Sequence, residues 1–244
     1  MQDLAGLGSI INSKVAENLY QDSASGALQE VGKIGSDLAK TARLFLAPLQ
    51  IAATFQNRLE KYLKTLESRI PEEYRIEVRP QISGPALESM RYLDETDVLW
   101  NMFCELLSKS ADSRSVQYAH PSFVHILQQL TRDEVYLLTK LREKPFLQVA
   151  TMDLNPTKQN FINKKIKNTT IPLDELHNAA SFEIYYSHLE SLSLISWPVT
   201  KQDPIVSQGV QTGLTEFSTL QLTEFGELFI DACTDKSGAV QKNE

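Results

Sequence analysis

The sequence lacks most of the patterns that reveal chemistry. It has no HExxH, no paired CxxC and no histidines four apart, so no metal site is expected. It has no GxSxG nucleophile elbow. Only two cysteines occur, Cys104 and Cys233, each inside an apolar helical pattern, which predicts two buried thiols and no disulfide. Gly26 to Lys33 reads GALQEVGK, but a phosphate loop needs four residues between its glycines and Ser or Thr after the lysine. Here the spacing is five and Ile34 follows, so no nucleotide and no other cofactor is expected. His177 and His188 fall on one predicted long helix, too far apart to share a metal.

Positive charge is also scarce. The formal net charge is −7, which argues against a general nucleic-acid binder. No basic region precedes an apolar run at Met1, and no glycine follows it, so neither a secretory signal nor myristoylation is expected. These points predict a reducing cytoplasm. Long hydrophobic runs are absent as well. The most apolar stretch, Ala42–Phe55, is interrupted by Arg43 and Gln50 and falls short of the roughly 20 residues a spanning helix needs. It predicts a helix buried on two sides, with an interfacial, membrane-perturbing helix as the alternative.

What the chain does contain is helix punctuation. Residues 1–35 are rich in Gly, Ser and Ala and predict a weakly structured helical arm, because each helical glycine costs about 1 kcal/mol relative to alanine. Residues 36–131 predict a helical core. It opens with a long pattern from Ser36 to Ile70, kinked at Pro48, with Phe55, Leu59, Tyr62, Leu63 and Leu66 on one face. Tyr74, Ile76 and Val78 then alternate with charged residues as a short strand or connector. Pro85 is placed in the first turn of a helix with Leu87 and Met90. Asp94, Glu95 and Asp97 start a second helix, and His120-Pro121 a third. Thr131 with Glu134 is a capping-box spacing for a fourth.

Residues 132–235 predict a winged-helix-like α+β unit, and 236–244 a disordered tail. Phe146 to Met152 reads as a strand, and lysine-rich 155–168 as a loop. A helix is expected over 174–192, followed by short strands at 194–197 and 219–222 around a polar loop with Pro204, Gly209 and Gly213. Thr223 would cap a last helix. The fold class expected is therefore mainly α, all helical apart from that end unit. From Asp174 to Glu244 the charge balance is −8, against +1 for the rest. A winged helix reading DNA needs Lys, Arg or polar donors on its recognition helix, and HNAASFEIYYSHLES offers acids and tyrosines. Protein contacts are the expected use of this unit.

One pair has the character of a site. Arg114 and His120 are separated by five residues, which resembles the Arg-x(4–6)-His spacing of HEPN ribonucleases. In that chemistry a histidine moves protons and an arginine stabilises phosphate charge. The bland reading is a loop, SRSVQYAHP, in which His120 helps to start a helix.

Taken in order, RLFLAPLQIAATFQNRLEKYL, RIPEE, PQISGPALESMRY, LWNMFCELLSKSAD and AHPSFVHILQQLTRDE resemble the Abi-alpha (abortive-infection alpha) family of bacterial proteins. The resemblance runs over roughly residues 40 to 235. It implies a helical cytoplasmic protein of phage defence, in which an infected cell stops growing before the phage matures. It transfers no catalytic residues. The expectation is an antiphage protein acting through a protein partner or self-association, as sensor or effector. The alternatives are membrane damage through Ala42–Phe55, an RNase using Arg114 and His120, and a DNA-binding regulator.

Overall fold

The computed structural model describes residues 54–235. The arm at 1–35, the GALQEVGK stretch, the kink at Pro48, residues 42–53 of the apolar segment and the tail at 236–244 lie outside the described residues. Chain contacts divide the molecule at Thr54/Phe55, and the second unit begins at Phe55.

That unit is α+β, which corrects the expectation of a mainly α, all-helical chain with a winged-helix-like end. Helices come first: α1 over 54–69, α2 (Pro80–Met90), α3 (Val98–Ser110), α4 (Ser122–Leu127) and α5 (Arg132–Glu143). A sheet follows, interleaved with two more helices: β1 (Phe146–Asn155), β2 (Asn160–Thr169), α6 (Phe182–Ser191), β3 (Ile195–Ser196), β4 (Val199–Ser207), β5 (Val210–Leu222) and α7 (Glu224–Cys233).

The helix starts follow their side chains. Pro80 stands at the first position of α2, so the helix begins five residues before Pro85, which sits inside it. Asp97 caps α3 by accepting the Leu99 N–H at 3.0 Å. Thr131 and Glu134 close a complete capping box on α5: the Glu134 side chain accepts the Thr131 N–H at 2.7 Å, and the Thr131 hydroxyl accepts the Glu134 N–H. The 71–79 segment forms no strand: a 3-10 turn occupies Glu72–Tyr74, and an isolated bridge joins Arg75 to Asp112. The helix expected over 174–192 is confined to α6, because two short 3-10 turns occupy Leu173–Glu175 and Ala179–Ser181. His177 therefore does not share a helix with His188.

The sheet is antiparallel in the order β2-β1-β5, with β3 and β4 one after the other on the far side of β5. Two hairpins build it. In the first, Asn155 Oδ1 accepts the N–H groups of Thr157 and Lys158, and turns the chain into β2. In the second, Gln208 (φ 51°) and Gly209 (φ 78°) are both left-handed, as a two-residue type I′ turn requires. The lysine-rich stretch and the stretch around Pro204, both read as loops, are thus edge strands. Each outer strand is guarded: β2 carries Lys164, Lys165 and Lys167 and two register shifts, and β4 carries Pro204 and two more.

One core joins helices and sheet. Phe103, Leu106, Leu127, Leu138, Leu189, Phe229 and Ile230 are fully buried, and Phe146, Leu220 and Leu222 bring the sheet into the same cluster. Phe123 meets the ring of Phe229 edge-on at 5.4 Å. The last helix is fixed at both ends. Thr223 accepts the Gly226 N–H at 2.9 Å and donates its own N–H to the Leu194 carbonyl. A Cβ on Gly226 would lie 1.9 Å from that carbonyl oxygen, so this position needs glycine. At the other end, Lys109 donates to the carbonyls of Asp231 and Thr234, and Arg142 pairs with Asp231 at 2.7 Å. Cys104 and Cys233 are buried free thiols, and burial pushes Cys104 up to about 12.

Candidate functional site

Alternation along β1 and β5 gives the sheet two unlike faces. The inner face carries Phe146, Gln148 and Ala150 beside Leu220, Ser218 and Glu216. The outer face carries Leu147, Val149 and Thr151 beside Thr219, Phe217 and Thr215. None of these outer residues belongs to the core cluster, and Leu147 is 56% exposed. The register adds Asp153, Ile162 and Lys165 from the first hairpin and Lys201, Asp203 and Ile205 from β4. Ile162 and Ile205 are exposed as well. Lys201 pairs with Asp203 at 2.6 Å and lies 5.3 Å from the Phe217 ring centroid. The four charges of this face, Asp153, Lys165, Lys201 and Asp203, sum to zero.

The inner face is closed at one end by the core and open at the other. There a pocket of about 180 Å³ is lined by Gln148, Lys164, Tyr186, Trp197, Val199, Glu216 and Ser218. Trp197 enters it because β3 and β4 leave the pairing with β5 at Trp197-Pro198. Its indole stands edge-on to Tyr186 (5.2 Å) and Phe182 (6.1 Å). The indole N–H is buried without an acceptor, which costs the fold about 1–3 kcal/mol. Lys164 and Glu216 pair at 2.8 Å. Burial and the hydrogen bond to Glu190 push the Tyr186 phenol up to about 12, so it is a neutral donor at pH 7.

A third polar cluster surrounds the start of α5. Glu134 is almost fully buried, with one oxygen on Thr131 and the other 2.6 Å from His188 Nδ1. Asp133 accepts the His177 and Asn178 N–H groups at 2.9 Å and the Tyr185 hydroxyl at 3.0 Å. Burial opposes its charge, but these donors outweigh burial and hold its carboxyl below the ordinary value. Asp97 receives Arg132 at 2.7 Å. Every acid in this cluster has a partner, and the partners tie α3, the 171–181 segment and α6 to one helix start. Its chemistry is that of a clasp.

Arg114 and His120 are placed apart in their bonding. Arg114 makes a two-pronged pair with Asp112, 2.6 Å at the shorter contact, and stacks 4.3 Å from the Tyr74 ring centroid. His120 Nδ1 accepts the Ser122 N–H at 3.1 Å and meets the Ser122 hydroxyl at 2.7 Å, at the start of α4. No hydrogen bond joins Arg114 to His120 among the described residues. Among those residues, too, no group of three or more His, Cys, Asp or Glu side chains is arranged to hold a metal ion, and no helix is long and apolar enough to cross a membrane.

The architecture is thus a helical α+β protein whose sheet presents one face to the core and one outward. Residues 54–233, most of the chain, match the abortive infection alpha family, and the chain belongs to that family. Membership supports a role in abortive-infection defence. No curated protein and no solved structure matches the chain.

Proposed function

We propose that this abortive-infection protein acts through protein contacts, as sensor or effector, and that its contact is with a second copy of the chain through the outer face of the sheet. The observation that carries the reading is the uncovered face itself. Leu147, Val149, Phe217, Ile162 and Ile205 share it, yet none joins the core. Two such faces pack well, because twisted sheets stack at about 10 Å with their side chains interleaved. Charge favours a copy of the same chain. The molecule carries −7 overall, so most of its surface repels its like, whereas this face is neutral and bears both signs. An isologous pair could set Lys165 or Lys201 of one copy against Asp153 or Asp203 of the other. Guarded edges on β2 and β4 leave the face, not the edge, as the sheet's contact surface.

The test is sedimentation equilibrium of the full chain. A dimer is expected at about 100 µM, dissociating on Leu147→Glu, which would place a like-charged pair in the contact. A wild-type chain that stays monomeric throughout overturns the reading.

A further inference from the structure

We infer that the inner-face pocket binds a neutral, flat, single-ring heterocycle with a carbonyl next to a ring N–H, the hydrogen-bonding edge of a pyrimidine base. The inference is independent of the self-association proposed above. Four observations carry it.

The first is unused hydrogen-bonding capacity. Gln148 and Ser218 are 7% and 6% exposed, face each other across β1 and β5, and line the pocket. Neither side chain hydrogen-bonds to protein among the described residues. The Trp197 N–H beside them is buried without an acceptor. Side chains this deep are ordinarily paired, and the polar ends of Gln148 and Ser218 instead open onto the pocket without a protein partner, which marks a place able to receive one. The second is the kind of partner they need. A primary amide offers one donor and one acceptor side by side, and matches an adjacent C=O and N–H in two parallel bonds. A serine hydroxyl takes either role.

The third is shape. Trp197 and Tyr186 supply aromatic surface, which suits a flat ring. The volume, about 180 Å³, is below the range of drug-sized sites and fits one ring, not a purine with its sugar and phosphates. The fourth is charge. Lys164 and Glu216 are the lining's only charged residues and already neutralise each other at 2.8 Å, so the ligand that fits is uncharged. An anionic ligand would have to displace Glu216 from Lys164. The order of preference is therefore free base or nucleoside ahead of nucleotide.

The probe is direct because the chain has two tryptophans, and only Trp197 lines the pocket. In ¹H–¹⁵N spectra of the full chain, the two indole N–H signals are told apart with Trp197→Phe. Uracil, uridine and uridine monophosphate are then titrated in turn. A small ligand of this size is expected to bind with a dissociation constant of about 1 mM. The Trp197 signal should move and saturate, the Trp100 signal should stay, and uridine monophosphate should bind more weakly than uridine. Gln148→Met removes the paired amide at similar volume and should weaken binding about tenfold, while Ser218→Ala should weaken it less. Unchanged Trp100 and unchanged thermal unfolding establish that both variants remain folded. No saturable movement with any of the three probes overturns the inference. So does movement that Gln148→Met leaves unaltered, or equal movement of both indoles.

Discussion

Phe146 and Leu147 are neighbours in β1, yet Phe146 is 3% exposed and joins the core, whereas Leu147 is 56% exposed and touches none of it. The same split runs along β5, where Ser218 and Leu220 are buried and Phe217 and Thr219 are half-buried. A strand places successive side chains on opposite faces, so a single pattern of residues supplies both a folding surface and the outward surface proposed for self-association. The lesson is that apolar content alone does not locate function here. Substitutions at the inner-face residues that join the core, Phe146 and Leu220, should be read in stability, and those on the outer face in association and protection.

The largest effect is expected away from any candidate chemistry. Gly226→Ala drives a Cβ against the Leu194 carbonyl, and neither backbone can give way without moving α7 or the turn after α6. A loss of about 3 kcal/mol or more is expected in urea unfolding, and a loss under about 1 kcal/mol would show that α7 is less tightly seated than its contacts imply. Phe229→Ala, which empties a ring from the junction of α4 and α7, should cost about 3–4 kcal/mol by the same measurement.

Next comes the clasp at α5. Folding holds the Asp133 carboxyl below its ordinary value, so the stability it contributes is present above the unfolded value, about pH 3.9, and is lost as pH falls through the folded one. Asp133→Asn should lower stability at pH 7 and flatten the acid limb of a pH–stability curve. An unchanged acid limb would place the acid sensitivity elsewhere. His120→Ala should cost no more than about 1 kcal/mol, because it removes one acceptor from the first turn of α4. Phage protection should survive it, and loss of protection in a folded His120→Ala protein would favour the ribonuclease reading of Arg114 and His120. The smallest stability change, within about 0.5 kcal/mol, is expected for Leu147→Glu.

The helical half was legible because its signals are local. Asp97 caps α3, Thr131 and Glu134 cap α5, and Thr223 caps α7, where the spacing places them. The sheet was half hidden for a physical reason. In β2 all residues but the last are exposed, so NFINKKIKNT has no buried side to impose alternation, and its lysines read as a loop. Proline in β4 gave the same impression, although Gln208-Gly209 was a usable hairpin signal. Gly226 carries no local signal, and only Leu194, thirty-two positions earlier, explains it. The pocket was invisible in the sequence, since Gln148, Lys164, Tyr186, Trp197 and Ser218 meet only when both hairpins and α6 are in place.

The central claim, that the outer face of the sheet is where this abortive-infection protein works, is tested most directly by phage plating on cells that make Leu147→Glu. Protein level and thermal unfolding should match the wild type. Protection is then expected to be lost with the fold intact. Full protection by a folded, monomeric Leu147→Glu protein would contradict it.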